Sequence, residues 1–206
     1  MIYQYKGNDE LSHTYMVCRF NTCIVIDPSH SYDEIQRDLK EREIILVLLT
    51  HAHSDHVHQI EDYKVPIYIH EDDAYLLFDD KHNGYANSKR PYLRKNIDLR
   101  LIKNHDKIQM ADQFIEVIHT PGHTKGSCSF LVNNALFTGD TLFHNDVGRH
   151  DLMSGSIYDL KKSILKIIDE INPNTKVYPG HDELTTIRNE KKSNPFYLKW
   201  KKQSKI

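Results

Sequence analysis

Four short segments of the 206-residue chain concentrate side chains that bind metal ions: Thr50-His51-Ala52-His53-Ser54-Asp55-His56, Thr120-Pro121-Gly122-His123, Thr138-Gly139-Asp140 and Pro179-Gly180-His181. His51 and His53 are two residues apart, so in extended chain both imidazoles point to one side while Ala52 points away. Asp55 and His56 follow at a turn into a helix, which swings a carboxylate and a third imidazole towards a neighbouring point. With His123, Asp140 and His181 the set holds five imidazoles and two carboxylates. One tetrahedral zinc takes four ligands, so this inventory fits two divalent ions sharing one carboxylate. Two such ions about 3.5 to 4 Å apart activate a water between them and clamp a hydrolytic transition state. The chain has 14 histidines, and any one alone is more often a packed or solvated residue. Agreement of residue type, spacing and position across seven residues carries the reading.

Each of the four segments follows an apolar strand, and α/β folds gather ligands beyond the carboxyl ends of strands. The recurring Gly and Pro supply tight exits. Alternation over residues 14–20 and 22–26 predicts paired strands turning at Asn21, the second ended by Asp27-Pro28. Ser31 followed by Glu34 is a capping-box pattern for a helix to about Arg42. Residues 43–49 form a continuous apolar run, as in a strand buried on both faces. Next come a short helix over 55–63, a strand at 67–69, a helix over 71–78 and a polar loop at 79–96, whose Tyr85, Tyr92 and Arg94 make it a candidate lid. Further strands are legible at 114–119, 127–132, 135–137 and 176–178. Ser156 caps a helix whose Ile157, Leu160, Ile164, Ile168 and Ile171 keep helical spacing until Pro173. Strands in a run followed by a helix, twice over, fit two packed sheets with helices outside. No linker or repeat interrupts the pattern, so residues 1–206 read as one domain.

Composition narrows the function. Lys and Arg number 27 against 29 Asp and Glu, a formal charge of −2, which lacks the electrostatic footprint of a nucleic-acid binder. Hydrophobic residues at 39% and aromatics at 10% support a folded core. No run approaches the roughly 18–20 apolar residues of a membrane span, and the polar start is unlike a signal peptide, so the expectation is a cytoplasmic protein with no membrane partner. Cys18, Cys23 and Cys128 are odd in number and scattered, and read as small buried hydrophobes rather than a disulfide framework.

The motifs resemble the metallo-β-lactamase superfamily. Its H-x-H-x-D-H signature stands here as His51-Ala52-His53-Ser54-Asp55-His56, its T-P-G-H-T-x-G-S element as residues 120–127, its T-G-D as Thr138-Gly139-Asp140 and its final G-H as Gly180-His181. The resemblance implies an α/β fold, the αββα four-layer sandwich of two mixed sheets with helices on the outer faces. It implies one metal held by His51, His53 and His123, a second by Asp55, His56 and His181, and Asp140 bridging them. Within the superfamily the chain looks most like the short, glyoxalase II-like hydrolases, through Gly148-Arg149-His150-Asp151 and through His181-Asp182-Glu183-Leu184 with Asn194-Pro195-Phe196. It departs from them at His58, at His150 in place of Thr and at Asp182 in place of Gly. Only 25 residues follow His181, too few for the helical domain that supplies most glutathione contacts in the longer members.

These readings converge on a metal-dependent thioesterase acting on S-D-lactoylglutathione or a related 2-hydroxyacyl thioester. Two divalent ions, zinc first with iron or manganese as alternatives, are its cofactors, and Asp55 and Asp140 its catalytic carboxylates. A thiol has a pKa near 8.5, so a thiolate leaves without a general acid, whereas an amine needs a proton. The alternatives are a mononuclear-iron persulfide dioxygenase using His51, His123 and Asp140, and a non-catalytic metal-binding module. Arg149 and Asp151 read as an ion pair that fixes a loop, and His119, His58, His70, His105, His144 and His150 as packed residues, with His144 placed to line the pocket. The basic tail, Lys191, Lys192, Lys199, Lys201, Lys202 and Lys205, reads as a solvated helical end.

Overall fold

The computed structural model describes residues 1–87 and 97–204. Six strands build the first sheet in sequence order: β1 (Ile2–Tyr5), β2 (Thr14–Arg19), β3 (Thr22–Ile26), β4 (Glu43–Leu48), β5 (Ile67–His70) and β6 (Leu99–Ile102). The first three run antiparallel, and β3 to β6 are parallel neighbours. The second sheet uses β7 (Lys107–Met110), β8 (Gln113–His119), β9 (Cys128–Val132), β10 (Ala135–Gly139), β13 (Lys176–Pro179) and β14 (Thr185–Thr186), with β10 and β13 parallel. A two-stranded ribbon, β11 (Leu142–Phe143) and β12 (Asp146–Val147), follows β10. Helices α1 (Tyr32–Leu39), α2 (Ser54–Val57), α3 (Ile157–Glu170), α4 (Ile187–Ser193) and α5 (Pro195–Gln203) complete the chain.

Period-2 alternation sorts the strands into layers. Tyr15, Val17, Ile24, Ile26, Leu46 and Leu48 face the second sheet and meet Ile115, Val117, Phe130 and Phe137 there. Their neighbours Met16, Cys18, Val25, Val47 and Leu49 face the other way and pack under α1 with Ile35 and Leu39. On the far side Ile118, Leu136 and Val177 pack against Leu160, Ile164, Ile167 and Ile168 of α3 and Trp200 of α5. Three apolar layers between four structural layers give the expected sandwich of two mixed sheets flanked by helices.

Several expectations change in detail. The stretch after β5 forms turns and a 3-10 segment, Leu76–Phe78, instead of a helix. The buried Asp73 holds it through side-chain bonds to distant loops, so tertiary hydrogen bonds override local helix preference. The helix expected over 55–63 is split into α2 and a 3-10 turn, Ile60–Asp62. Strands β1 and β6 come from short mixed sequences without clean alternation, and β7 alternates over only four residues, Lys107-Ile108-Gln109-Met110. Cys18 and Cys23 are cross-strand neighbours in the β2–β3 hairpin and form a disulfide, while Cys128 is free and buried. Counting an odd set hid this pair, which the two-residue turn at Phe20-Asn21 brings opposite one another. Among the described residues no helix is long and apolar enough to cross a membrane.

Candidate metal centre

The four motif loops leave the carboxyl ends of β4, β8, β10 and β13 and meet at one edge of the sandwich. Backbone bonds stitch them across both sheets. Cys128 N donates to Thr50 O at 2.9 Å, Gly180 N to Gly139 O at 2.9 Å and His13 N to Gly180 O at 2.7 Å. Gly180 must be glycine: a Cβ there would collide with the Asp140 carboxylate and the His56 ring. Gly122 combines φ +139° with the close approach of the α3 backbone at Leu160, which lets the His123 loop lie flat on that helix.

All seven predicted residues come together. His51 Nε2 and His123 Nε2 lie 3.2 Å apart, and His53 Nδ1 lies 2.8 Å from His123 Nε2. On the other side His181 Nε2 is 3.1 Å and His56 Nε2 3.5 Å from Asp55 Oδ2. Asp140 stands between the two groups. Its Oδ1 is 3.1 Å from His56 Nε2 and 3.8 Å from His181 Nε2, while its Oδ2 is 3.6 Å from His123 Nε2. Ligand atoms of His51, His53 and His123, and separately of Asp55, His56 and His181, fall within 4.8 Å of one another.

Outer bonds aim the imidazoles. His56 Nδ1–H donates to Asp27 Oδ2 at 2.8 Å, and His123 Nδ1–H to the carbonyl of Arg149 at 2.7 Å. The Thr50 hydroxyl donates to Asp27 Oδ2 at 2.7 Å, so its oxygen is the acceptor for His51 Nδ1–H at 3.1 Å. Each of these three rings therefore points its Nε2 inward, which is how ligating histidines are held. Asp73, fully buried, accepts from Ala52 N at 3.2 Å, Thr124 Oγ1 at 2.8 Å and Gly126 N at 2.8 Å. It ties the loop of His51 and His53 to the loop of His123. His13 grips the last loop, its Nε2–H donating to Asp182 O at 2.8 Å.

Sequence reading missed Asp27, Asp73 and His13. Asp27-Pro28 had served only as a strand terminator, and the partners of all three are distant in sequence. Arg149 and Asp151 form the expected ion pair, here with two bonds at 2.9 and 3.1 Å. His144 is exposed, and it is Phe143 that meets the His181 ring, at 6.1 Å. Tyr85 is buried and stacks on His58 instead of forming part of a lid, while Tyr92 and Arg94 lie outside the described residues. In the tail, Lys191 and Lys201 pair with Asp169 of α3, and Lys205 lies outside the described residues.

Electrostatics divide the site. Burial, reinforced by the neighbouring imidazoles, pushes His51 well below its ordinary pKa, and burial brings His53 to about 4. Both are neutral at pH 7, the ligating form. Burial also opposes charge on His56, but Asp140, Asp55 and Asp27 outweigh it and hold its pKa well above the usual value. Burial opposes charge on the partly exposed His181 too, but its bond to Asp55 and the charge of Asp140 raise its pKa in the same sense. Asp140 is held well below the carboxylate range, the His56 charge outweighing burial. Concentrated negative charge suits divalent cations, which would displace the proton that these carboxylates hold on His56. His56 Nε2 and Asp140 Oδ1 are buried without a well-formed hydrogen bond, as is His53 Nε2. Orphaned buried polar atoms of this kind are costly in a protein, and bound metal would satisfy the inward-facing ones, so the residues fit the group.

Fold and site define the class. The family model described as the metallo-beta-lactamase superfamily matches residues 7–181, and the chain belongs to that superfamily. It is a metallo-hydrolase of this superfamily with candidate His and Asp ligands. Among its relatives is the hydroxyacylglutathione hydrolase GloC of Haemophilus influenzae, 31% identical over 181 residues, which cover 84% of this chain and 85% of that protein. The crystal structure of the BLEG-1 B3 metallo-beta-lactamase superposes with a TM-score of 0.86 at 31% identity, covering 96% of this chain and 99% of the other. That of TTHA1623 in a di-iron-bound form superposes with a TM-score of 0.79 at 26% identity, covering 94% and 99%.

Proposed function

We propose that this metallo-hydrolase is a dinuclear thioesterase, cleaving S-D-lactoylglutathione or a related 2-hydroxyacyl thioester. The observation that carries it is the pairing of two ligand triads, His51/His53/His123 and Asp55/His56/His181, across the single carboxylate of Asp140. The likeness to GloC supports the substrate class. When bound, two ions supply a Lewis acid for a carbonyl oxygen and a nucleophile drawn from water at neutral pH. The chain's own residues do the rest. Asp140, held ionised, faces both triads and keeps them at a fixed spacing. Asp27, Thr50 and the Arg149 carbonyl hold the imidazoles in the ligating tautomer. A thiolate departs unprotonated, so the site needs no general acid for this substrate. Zinc is the first expectation for the metal, and the di-iron neighbour keeps iron beside it. A small-molecule thioester is the proposed partner, without nucleic acid or membrane, and the cytoplasm the proposed compartment.

A persulfide dioxygenase would use His51, His123 and Asp140 alone and leave the convergence of Asp55, His56 and His181 without a purpose. The test is turnover of S-D-lactoylglutathione by the zinc-loaded protein against its metal-free control, with a β-lactam assayed in parallel. Metal-dependent thioester hydrolysis supports the reading. No thioester turnover above the metal-free control overturns it.

A further inference from the structure

A second cluster of ligand side chains lies outside the seven residues of the centre. His70 ends β5 in the first sheet, Asp72 follows in the next turn, and His119 ends β8 in the second sheet. Sequence spacing gives neither histidine a partner, but the fold gives each the other: their rings stack with centroids 4.0 Å apart and planes 8° from parallel. Asp72 Oδ2 lies 3.9 Å from His70 Nδ1. One ligand atom from each of the three residues falls within 4.8 Å of the others.

The outer bonds of His119 suit metal binding here as well, while His70 Nδ1 accepts from Asp72 N at 3.3 Å, a bond that an ion at this nitrogen would displace. His119 Nε2–H donates to the carbonyl of Lys125 at 2.9 Å, which leaves Nδ1 as the lone pair. A histidine whose other N–H is held by a backbone carbonyl is oriented as a ligand. Burial, helped by the neighbouring His119, lowers the pKa of His70 and keeps its imidazole neutral. Lys125 Nζ takes Asp72 Oδ1 at 2.8 Å, so Oδ2 remains on the side of His70.

We infer that His70, Asp72 and His119 form a separate binding site for one divalent transition ion of the zinc type, bridging the two sheets. Two imidazoles and one carboxylate select borderline ions such as Zn²⁺ over Ca²⁺ or Mg²⁺, and water completes the shell. His70 is buried and fixed, whereas His119 and Asp72 are partly exposed. The rings are nearly parallel, so joint coordination requires His119 to tilt away from His70. That rearrangement, three protein ligands instead of a shared seven, and the competing Lys125 ammonium make this ion weaker and faster to exchange than those of the main centre.

The experiment is a Zn²⁺ titration by equilibrium dialysis of the full chain, with the metal-to-protein ratio read for wild type, H119A and D72N. Both substitutions lie at partly exposed positions and are judged separately, so a folding defect in one leaves the other to decide. Wild type is expected to bind one zinc per chain more than either variant, and to lose that zinc alone on gel filtration. The zinc that survives gel filtration is expected to be the same in all three proteins, which separates this site from the main centre whatever that centre's substrate. Equal zinc uptake by wild type and the folded variants overturns the site.

Discussion

Asp27 Oδ2 lies 2.8 Å from His56 Nδ1, with both side chains buried, and the same carboxylate accepts from Thr50 N at 2.8 Å and from Thr50 Oγ1 at 2.7 Å. One residue at the end of β3 thus sets the tautomer of His56 directly and that of His51 through Thr50. Replacing it by D27N keeps the shape but turns an acceptor into a donor facing His56. Partners of this kind are worth about 10- to 100-fold in metal affinity. The expected outcome is a fall of that order in zinc affinity, measured by competition with a chromophoric chelator. An unchanged affinity contradicts the role.

Gly180 provides a steric test of the same centre. The Cβ of a G180A variant would press on the Asp140 carboxylate and the His56 ring. Overpacking of this sort costs roughly 1–3 kcal/mol, of order tenfold in a dissociation constant. Zinc content after gel filtration should fall while far-ultraviolet circular dichroism stays that of wild type.

Asp73 should matter more to stability than its place outside the ligand set suggests. D73A leaves the N–H groups of Ala52 and Gly126 and the Thr124 hydroxyl without their buried acceptor. The expected cost is about 2–4 kcal/mol, since hydrogen bonds to charged groups contribute more than neutral ones and orphaned donors carry a desolvation penalty. Urea unfolding of the metal-free protein measures it, and a loss below about 0.5 kcal/mol, the scale of an ordinary surface change, contradicts it.

Alkaline pH tests the docking of α5. Desolvation, with a bond to Asp169, raises the Tyr197 hydroxyl from 10.0 to about 12. A group whose pKa is raised on folding contributes stability that is complete below its unfolded value and lost as pH rises through the folded one. The contribution is therefore full below pH 10 and disappears between pH 10 and about 12. The thermal midpoint of wild type should drop towards that of Y197F over this window. Parallel curves for the two proteins would count against it.

How much was legible in the sequence follows from where the information sits. The seven candidate ligands were readable because His51, His53, Asp55 and His56 lie in one short run and the others stand beside Gly or Pro at strand ends. The sandwich followed from strand alternation and the Ser156-capped helix, whose apolar face became the outer layer of the second sheet. Asp27, Asp73 and His13 were not legible, because each acts through partners that only the fold brings near. The supposed helix at 71–78 failed for the same reason, as Asp73 trades local bonds for distant ones. Cys18 and Cys23 show a subtler case: hairpin register, not cysteine spacing, makes them neighbours.

The central claim is that seven side chains form one two-ion centre. Elemental analysis of zinc-reconstituted protein after gel filtration, on wild type, H53A and H181A, tests it most directly. The account predicts a ratio of about two tightly held ions per wild-type chain, as a shared-carboxylate pair requires, and a ratio falling to about one or less in each variant. A wild-type ratio near zero, or an unchanged ratio in both variants, would contradict it.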